Sequence, residues 1–287
     1  MKAQICFIGG GNMATSLIAG LIANDVSSDL ITVVDHNTDK LMHLKTQYGV
    51  DTTTDLDQGV EHADVIVLAV KPQSMQQLAA SISTTVRHTQ PLLISIAAGI
   101  QVEQLTQWFG QKAAIVRSMP NTPAMFQCGA AGLYANDNVS QQQKEIAEHI
   151  LRASSVVVWV DQEKLIDTIA ATSGSGPAYV FEMMRHMMET AQQEGLTSQQ
   201  AKLLVLQTFL GSAKMAIESS DDVETLRKNV TSKGGATAAA LDVFEKQGFG
   251  DMVQHAMQAN IARSESLAQT AKNGIEHHQT TQQGADQ

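Results

Sequence analysis

Two textures divide the chain. Over the first 160 positions, short apolar, β-branched runs alternate with segments whose apolar residues recur at helical spacing; beyond them only the helical spacing persists. The runs are Ile5–Ile8, 30–35, 65–70, 92–96 and 113–119. The run over 65–70 is continuously apolar, as a strand buried on both faces requires. Helical periods follow the first run (Met13, Leu17, Ile18, Leu21, Ile22) and occupy Thr38–Tyr48 and 56–62. Segments 132–135 and 155–160 read as short closing strands around a helix over 141–151. Such alternation predicts an α/β fold, an N-terminal Rossmann-like doubly wound parallel sheet over 1–160. From 161 to 273 the pattern predicts helices at 165–173, 177–194, 199–219, 223–227, 235–247 and 252–273. Pro177 suits a first helical turn, Gly195 a position past a helix end, and Ser198 and Asp251 read as N-caps. The stretch 274–287 has no apolar period and reads as a disordered tail, with His277 and His278 solvated.

The first run opens directly into Gly9-Gly10-Gly11-Asn12-Met13-Ala14 and then a helix. Strand, glycine turn and helix in that order form a dinucleotide-binding unit: Gly9 permits the turn, Gly11 lets backbone approach a pyrophosphate, and Ala14 is small enough for close packing. The free N–H groups at the helix start favour the phosphates. The second strand ends in Asp35, about twenty residues on, where an acid takes the ribose 2′-OH of NAD. His36, Asn37 and Lys40 would accommodate a 2′-phosphate if Asp35 turned aside. Three further strands end in Ala69-Val70-Lys71-Pro72, Ala97-Ala98-Gly99 and Pro120-Asn121-Thr122-Pro123, small or proline-rich turns on what should be one edge.

Composition narrows the partners. With 43% hydrophobic content in 287 residues, one or two sizeable cores are within reach. A formal charge of −10 argues against a nucleic-acid partner. No apolar run approaches the ~18–20 residues that span a bilayer. A strand starting beside Met1 leaves no room for a signal peptide. Cys6 and Cys128, the two cysteines, read as structural thiols of a cytoplasmic protein. In the helical half, the stripe Met183, Met184, Met187 and Met188 reads first as buried core and second as a dimer interface.

Candidate chemistry beyond the glycine turn is concentrated at Asn229-Val230-Thr231-Ser232-Lys233-Gly234-Gly235-Ala236-Thr237. Two glycines open a small-residue helix, so the N–H groups of Gly235, Ala236 and Thr237 form a nest for a carboxylate. The chain carries no Ser/His/Asp spacing, paired carboxylates or metal-ligand cluster. Hydride transfer from a nicotinamide asks little more than positioning, so an anionic small substrate fits so bare a site.

The blocks at 8–14, 69–72, Met119-Pro120-Asn121-Thr122-Pro123, Ser173-Gly174-Ser175-Gly176-Pro177-Ala178-Tyr179 and 232–237 together resemble pyrroline-5-carboxylate reductases, in that family's order. The resemblance implies reduction of 1-pyrroline-5-carboxylate, a cyclic imino acid, to L-proline with NADPH or NADH. It also implies an all-α C-terminal dimerisation domain, with homodimers often gathered into decamers. Position by position, it assigns the cofactor to Ile8, Gly9, Gly10, Gly11, Asn12, Met13, Ala69, Val70, Lys71, Pro72, Ile96, Ala97 and Ala98. The substrate falls to Asn229, Val230, Ala236 and Thr237, with Thr237 as proton donor or orienting group. Lys233 replaces the family's usual proline, which loosens the unbound loop by about 0.4–1 kcal/mol. Asp35 sits awkwardly with a frequent NADPH preference. Two other readings are a β-hydroxyacid dehydrogenase, disfavoured because 177–194 offers no lysine, and a non-catalytic dinucleotide sensor, which would not need 234–237.

Overall fold

The computed structural model describes residues 2–283, with side chains described through residue 266. Its first part contains β1 (Ile5–Ile8), α1 (Asn12–Ala23), β2 (Ile31–Val34), α2 (Thr38–Tyr48), β3 (Asp51–Thr53), α3 (Leu56–Val60), β4 (Val65–Leu68), α4 (Pro72–Thr89), β5 (Leu92–Ser95), α5 (Val102–Phe109) and β6 (Ala114–Met119). β7 (Gly129–Ala135), α6 (Gln141–Arg152) and β8 (Ser155–Trp159) complete the sheet. The strand order is β3-β2-β1-β4-β5-β6-β7-β8. The first six strands are mutually parallel, as expected. β7 is an exception and runs antiparallel to β6. The link between them holds only a short 3-10 turn (Thr122–Phe126), too short for the crossover that a parallel neighbour needs. β8 returns parallel to β7 because α6 supplies that crossover.

Strand β4 shows why the central runs lack alternation. Val65 and Val67 face the layer formed by α1 and α6, while Ile66 and Leu68 face the layer formed by α4 and α5. Both faces are fully buried. β3 escaped the apolar pattern because Asp51-Thr52-Thr53 is a polar edge strand.

The helical expectations are met with local differences. α7 (Leu165–Ile169) widens into a π-type turn at Ala170–Gly174 instead of continuing as one α-helix through 173. α8 (Gly176–Gln193), α9 (Ser198–Glu218), α10 (Val223–Asn229), α11 (Ala236–Lys246) and α12 (Phe249–Gln283) follow. Thr197, not Ser198, caps α9: its hydroxyl accepts the Gln200 N–H while the Gln200 side chain accepts the Thr197 N–H. Asp251 lies inside the first turn of α12, because Gly248 with φ +68° has already turned the chain. The α12 backbone runs to Gln283, and residues 284–287, the end of the expected tail, lie outside the described residues. So do the side chains of His277 and His278.

Contacts sort the chain into two compact units, one running to Ser175 and rejoined by α12 from Asn260, the other spanning Gly176–Ala259. Residues 161–175 therefore group with the sheet, although their texture is helical. Arg117 on β6 binds Asp167 on α7, and the Asn121 amide donates to the Ser173 carbonyl. The second unit buries only Ala201 and Val205 among its hydrophobic side chains, whereas Leu203, Leu210, Met215 and Ile217 stand exposed on α9. Met187 is exposed and Met183, Met184 and Met188 are half-buried, so the stripe is not buried core within one chain. Among the described residues no helix is long and apolar enough to cross a membrane.

The close approach of α1 to the end of α6 sets a sensitive point. A Cβ added at Gly20 would collide with the Ala153 carbonyl oxygen, and backbone cannot rotate away as a side chain can. Gly20→Ala should lose about 1–3 kcal/mol of unfolding free energy, the usual cost of overpacking. Urea denaturation measures it, and an unchanged midpoint would show that the helices separate freely.

Candidate active site

The carboxyl ends of β2, β1, β4 and β5 are stitched side by side. Gly9 N donates to the Val34 carbonyl (2.7 Å), Ala69 N to the Ile8 carbonyl (2.9 Å) and Ile96 N to the Leu68 carbonyl (3.3 Å). The strand order reverses between β1 and β4, which opens a crevice at the Gly9 and Ala69 turns. Gly9 has φ +105°, and a Cβ there would come within 2.6 Å of the Ala69 carbonyl oxygen, so glycine alone fits. Gly11, the N-cap of α1, faces open space: nothing lies within 4 Å of where its Cβ would be. α1 has neither a side-chain cap nor an acidic residue in its first turn. An exposed backbone at a helix start, free of competing anions, fits a dinucleotide pyrophosphate. Exposed Lys71 stands at the N-cap of α4, with Pro72 at its first position.

Asp35 does more here than its spacing suggested. Its side chain is 5% exposed; Oδ2 accepts Gly10 N–H at 2.8 Å and Oδ1 accepts Asn37 N–H at 2.9 Å. Lys40 Nζ lies at 3.7 Å and His36 Nδ1 at 3.4 Å. Burial pushes the carboxyl pKa up, but the two N–H groups and then the two cations outweigh it, leaving the pKa below its ordinary value. The carboxylate thus fastens the glycine turn to the end of β2, and Lys40 leans towards Asp35.

The expected cofactor residues Ile8–Met13, 69–72 and 96–98 all lie along this one edge, in the sheet-containing unit. Asn229, Val230, Gly235, Ala236 and Thr237 cluster at the α10–α11 turn of the other unit. One detail of the nest changes. Gly235 N donates to the Ser232 carbonyl (3.0 Å) and is not available, because Gly234 with φ +72° closes a tight turn there. Ala236 and Thr237, at the first two positions of α11, keep outward N–H groups with no carbonyl of their own helix to meet. Thr237, Asn229 and Val230 are exposed, and the Asn229 amide donates to Asp221 at 3.3 Å. Cys6 is buried, with its thiol pKa pushed up to about 12 by desolvation; Cys128 is exposed, contrary to a purely structural role.

Two side chains hold bonds that their sequence context did not announce. Asn121 bridges the Ser173 carbonyl and the Ala130 N–H, joining two motif blocks that the sequence keeps fifty residues apart. Arg117, buried in β6, binds Glu163 and Asp167 at 3.0 Å each. An arginine within an otherwise apolar strand, with acids four residues apart at and just before a later helix, is a signal that could have found this cluster.

Comparison with known proteins agrees with this geometry. Residues 163–267 match the family model described as pyrroline-5-carboxylate reductase dimerisation, and residues 4–99 match that of NADP oxidoreductase, coenzyme F420-dependent. A pyrroline-5-carboxylate reductase of Pseudomonas aeruginosa is 42% identical over 93% of this chain and 97% of its own. The chain belongs to the pyrroline-5-carboxylate reductase family. Two solved reductases superpose closely. That of Coxiella burnetii has a TM-score of 0.90 at 43% identity, covering 93% of this chain and 99% of its own. That of Plasmodium falciparum, solved with NADP bound, has a TM-score of 0.82 at 29% identity over 93% of this chain and 99% of its own. The family blocks at 8–14 and 69–72 are the two turns of the crevice, while 119–123 and 173–179 are the segments joined by Asn121.

Asp35 generates a test. Asp35→Ala leaves the buried Gly10 N–H without its acceptor, a loss of about 1–3 kcal/mol. Fluorescence titration should show NADH and NADPH binding both weakened, by roughly 5- to 150-fold on that basis. Because the folded-state pKa is depressed, the carboxylate's stabilising contribution is complete above the unfolded-state value near 3.8 and is lost as pH falls through the lower folded value. Wild-type cofactor affinity should therefore be insensitive to Asp35 titration between about pH 5 and 8. A variant that merely exchanges NADH for NADPH would show that Asp35 reads the ribose and does not fasten the turn.

Proposed function

We propose that the chain reduces 1-pyrroline-5-carboxylate to L-proline with NADPH or NADH, the last step of proline biosynthesis. The supporting observation is full-length family membership joined to a crevice built for a dinucleotide. The nicotinamide, when bound, supplies the hydride. Gly9, Gly10, Gly11, Asn12 and Met13 hold the pyrophosphate against the start of α1, and Ala69–Pro72 and Ile96–Ala98 line the cofactor along the strand ends. Ala236 and Thr237 bind the substrate carboxylate through their N–H groups, flanked by Asn229, Val230 and Gly235. The Thr237 hydroxyl orients the imine nitrogen, since an isolated alcohol is a poor acid near neutral pH. A β-hydroxyacid dehydrogenase reading lacks its base: α8 carries no lysine, and its Arg185 is engaged by Glu182 and Glu189.

The domain line falls at 160/161 by texture, with 161–273 serving substrate binding and dimerisation. Burying a large apolar side chain contributes about 1.5–3 kcal/mol, so the exposed leucines, methionines and valines of Gly176–Ala259 leave one copy of the unit far from its stable state. A homodimer through these helices supplies the missing cover. The free thiols suit a cytoplasmic setting.

Oxidation of NADPH that depends on the cyclic imine tests the reaction; a protein that binds NADPH and never oxidises it with this imine ends the proposal. Thr237→Ala distinguishes orientation from acid catalysis. Losing an orienting hydrogen bond, about 0.5–1.5 kcal/mol, lowers kcat by roughly 2- to 13-fold. Loss of an obligatory acid costs about 10²–10⁴-fold. The smaller value is expected, with a smaller loss at low pH, where more imine arrives protonated. Sedimentation at micromolar concentration should show a dimer or larger assembly, and a stable active monomer would refute the proposed interface.

A further inference from the structure

The loop from Ile96 to Gln101, which carries part of the proposed cofactor wall, is held at its start by the sheet and at its end by something else. Ile96 N is tied to the Leu68 carbonyl, and Ile100 is 2% exposed. Between them Gly99 turns the chain at φ +76°. At the far end Val102 N, the first amide of α5, donates at 2.8 Å to Glu163 Oε1, a residue 61 positions away. That same oxygen accepts Arg117 Nη1 at 3.0 Å. The other arm of the guanidinium reaches Asp167 Oδ1 at 3.0 Å, and Asp167 Oδ1 also accepts the Ser264 hydroxyl at 2.8 Å.

We infer that Glu163 is a positioning residue for the cofactor loop, acting through the Val102 amide and itself fixed by the buried fork of Arg117. The physical reason lies in burial. The Arg117 side chain is 3% exposed, so a guanidinium arm that lost its carboxylate would be left as a buried N–H group without an acceptor. Glu163, 24% exposed, would otherwise be free to swing outward; the guanidinium removes that freedom. The oxygen shared by Val102 and Arg117 thus becomes a fixed post to which the start of α5 is tied. With the sheet holding Ile96, the tie leaves the backbone at Ala97 and Ala98 one placement at the mouth of the crevice. The inference rests on the dinucleotide part of the proposed function and not on the identity of the imine.

The test is NADPH affinity, measured on the full-length protein by nicotinamide fluorescence at a temperature where circular dichroism shows each variant folded. Glu163→Ala removes the acceptor. Val102→Pro removes the donor at a first helical position that proline favours, after a Gln101 backbone (φ −85°, ψ 156°) already suited to precede it. Each should raise the NADPH Kd about 10- to 150-fold, the range for losing one charge-assisted hydrogen bond. The double variant should be no weaker than the worse single one, since both remove one interaction. Glu163→Gln keeps an acceptor oxygen and should stay within about twofold of wild type. A purely structural role would lower thermal stability in Glu163→Ala while leaving Val102→Pro with wild-type affinity. That result overturns the inference, as do multiplicative losses in the double variant. A wild type that binds NADPH but leaves the imine untouched ends the proposed reaction and spares this inference; one that binds neither NADPH nor NADH ends both.

Discussion

Everything at the crevice depends on how closely two backbone turns approach where β1 and β4 run side by side. The strand order reverses there, so the connections leave in opposite directions and a crevice opens at the carboxyl ends. Into that gap the Gly9 turn comes so near the Ala69 carbonyl that any side chain would collide with it. The gap stays open at Gly11, the only one of the three glycines that faces empty space on the Cβ side. One turn therefore serves two opposite ends: Gly9 is excluded from having a side chain by the protein, and Gly11 is left clear for a ligand.

Two buried charged groups hold this edge from below. Asp35 accepts the amides of Gly10 and Asn37, and Arg117 binds Glu163 and Asp167. Each would be costly if unpaired, since ions taken from water keep their charge only where close partners replace hydration. Such pairs add little net stability, but each tolerates only one arrangement of its partners. Asp35 ties β2 to the phosphate turn, and Arg117 ties β6 to α7 and, through Glu163, to the start of α5. Asn121 does the same with neutral bonds, joining β7 to the π-type turn.

The helical unit follows a different logic. Thr197 and Asp222 cap α9 and α10, yet the helices bury almost nothing of their own, and Leu203, Leu210 and Met215 stand exposed. A nest at the start of α11, with the Ala236 and Thr237 amides outward, is built on the same unit. Under the proposed function, substrate recognition and subunit association fall to one set of helices, and the cofactor to the strand ends of the sheet.

The sequence by itself determined most of the strands and helices and the order of the motif blocks. Apolar runs in β4 and the glycines after β1 are local signals, and the physics behind them, burial on two faces and φ above zero, acts within a few residues. It also determined the family, because the blocks at 173–179 and 232–237 occur together. What it left unresolved was decided by contacts between distant positions. β7 runs antiparallel because the preceding link is too short for a crossover; Asp35 turns inward to amides it was not known to face; Gly235 spends its N–H on Ser232. Residues 161–175 look helical yet stay with the sheet, and Arg117 looks like an intruder in a strand until Glu163 and Asp167 arrive beside it. Periodicity records which face of an element is buried, but not which partner covers it; a buried polar group finds its partner only when the chain has closed around it.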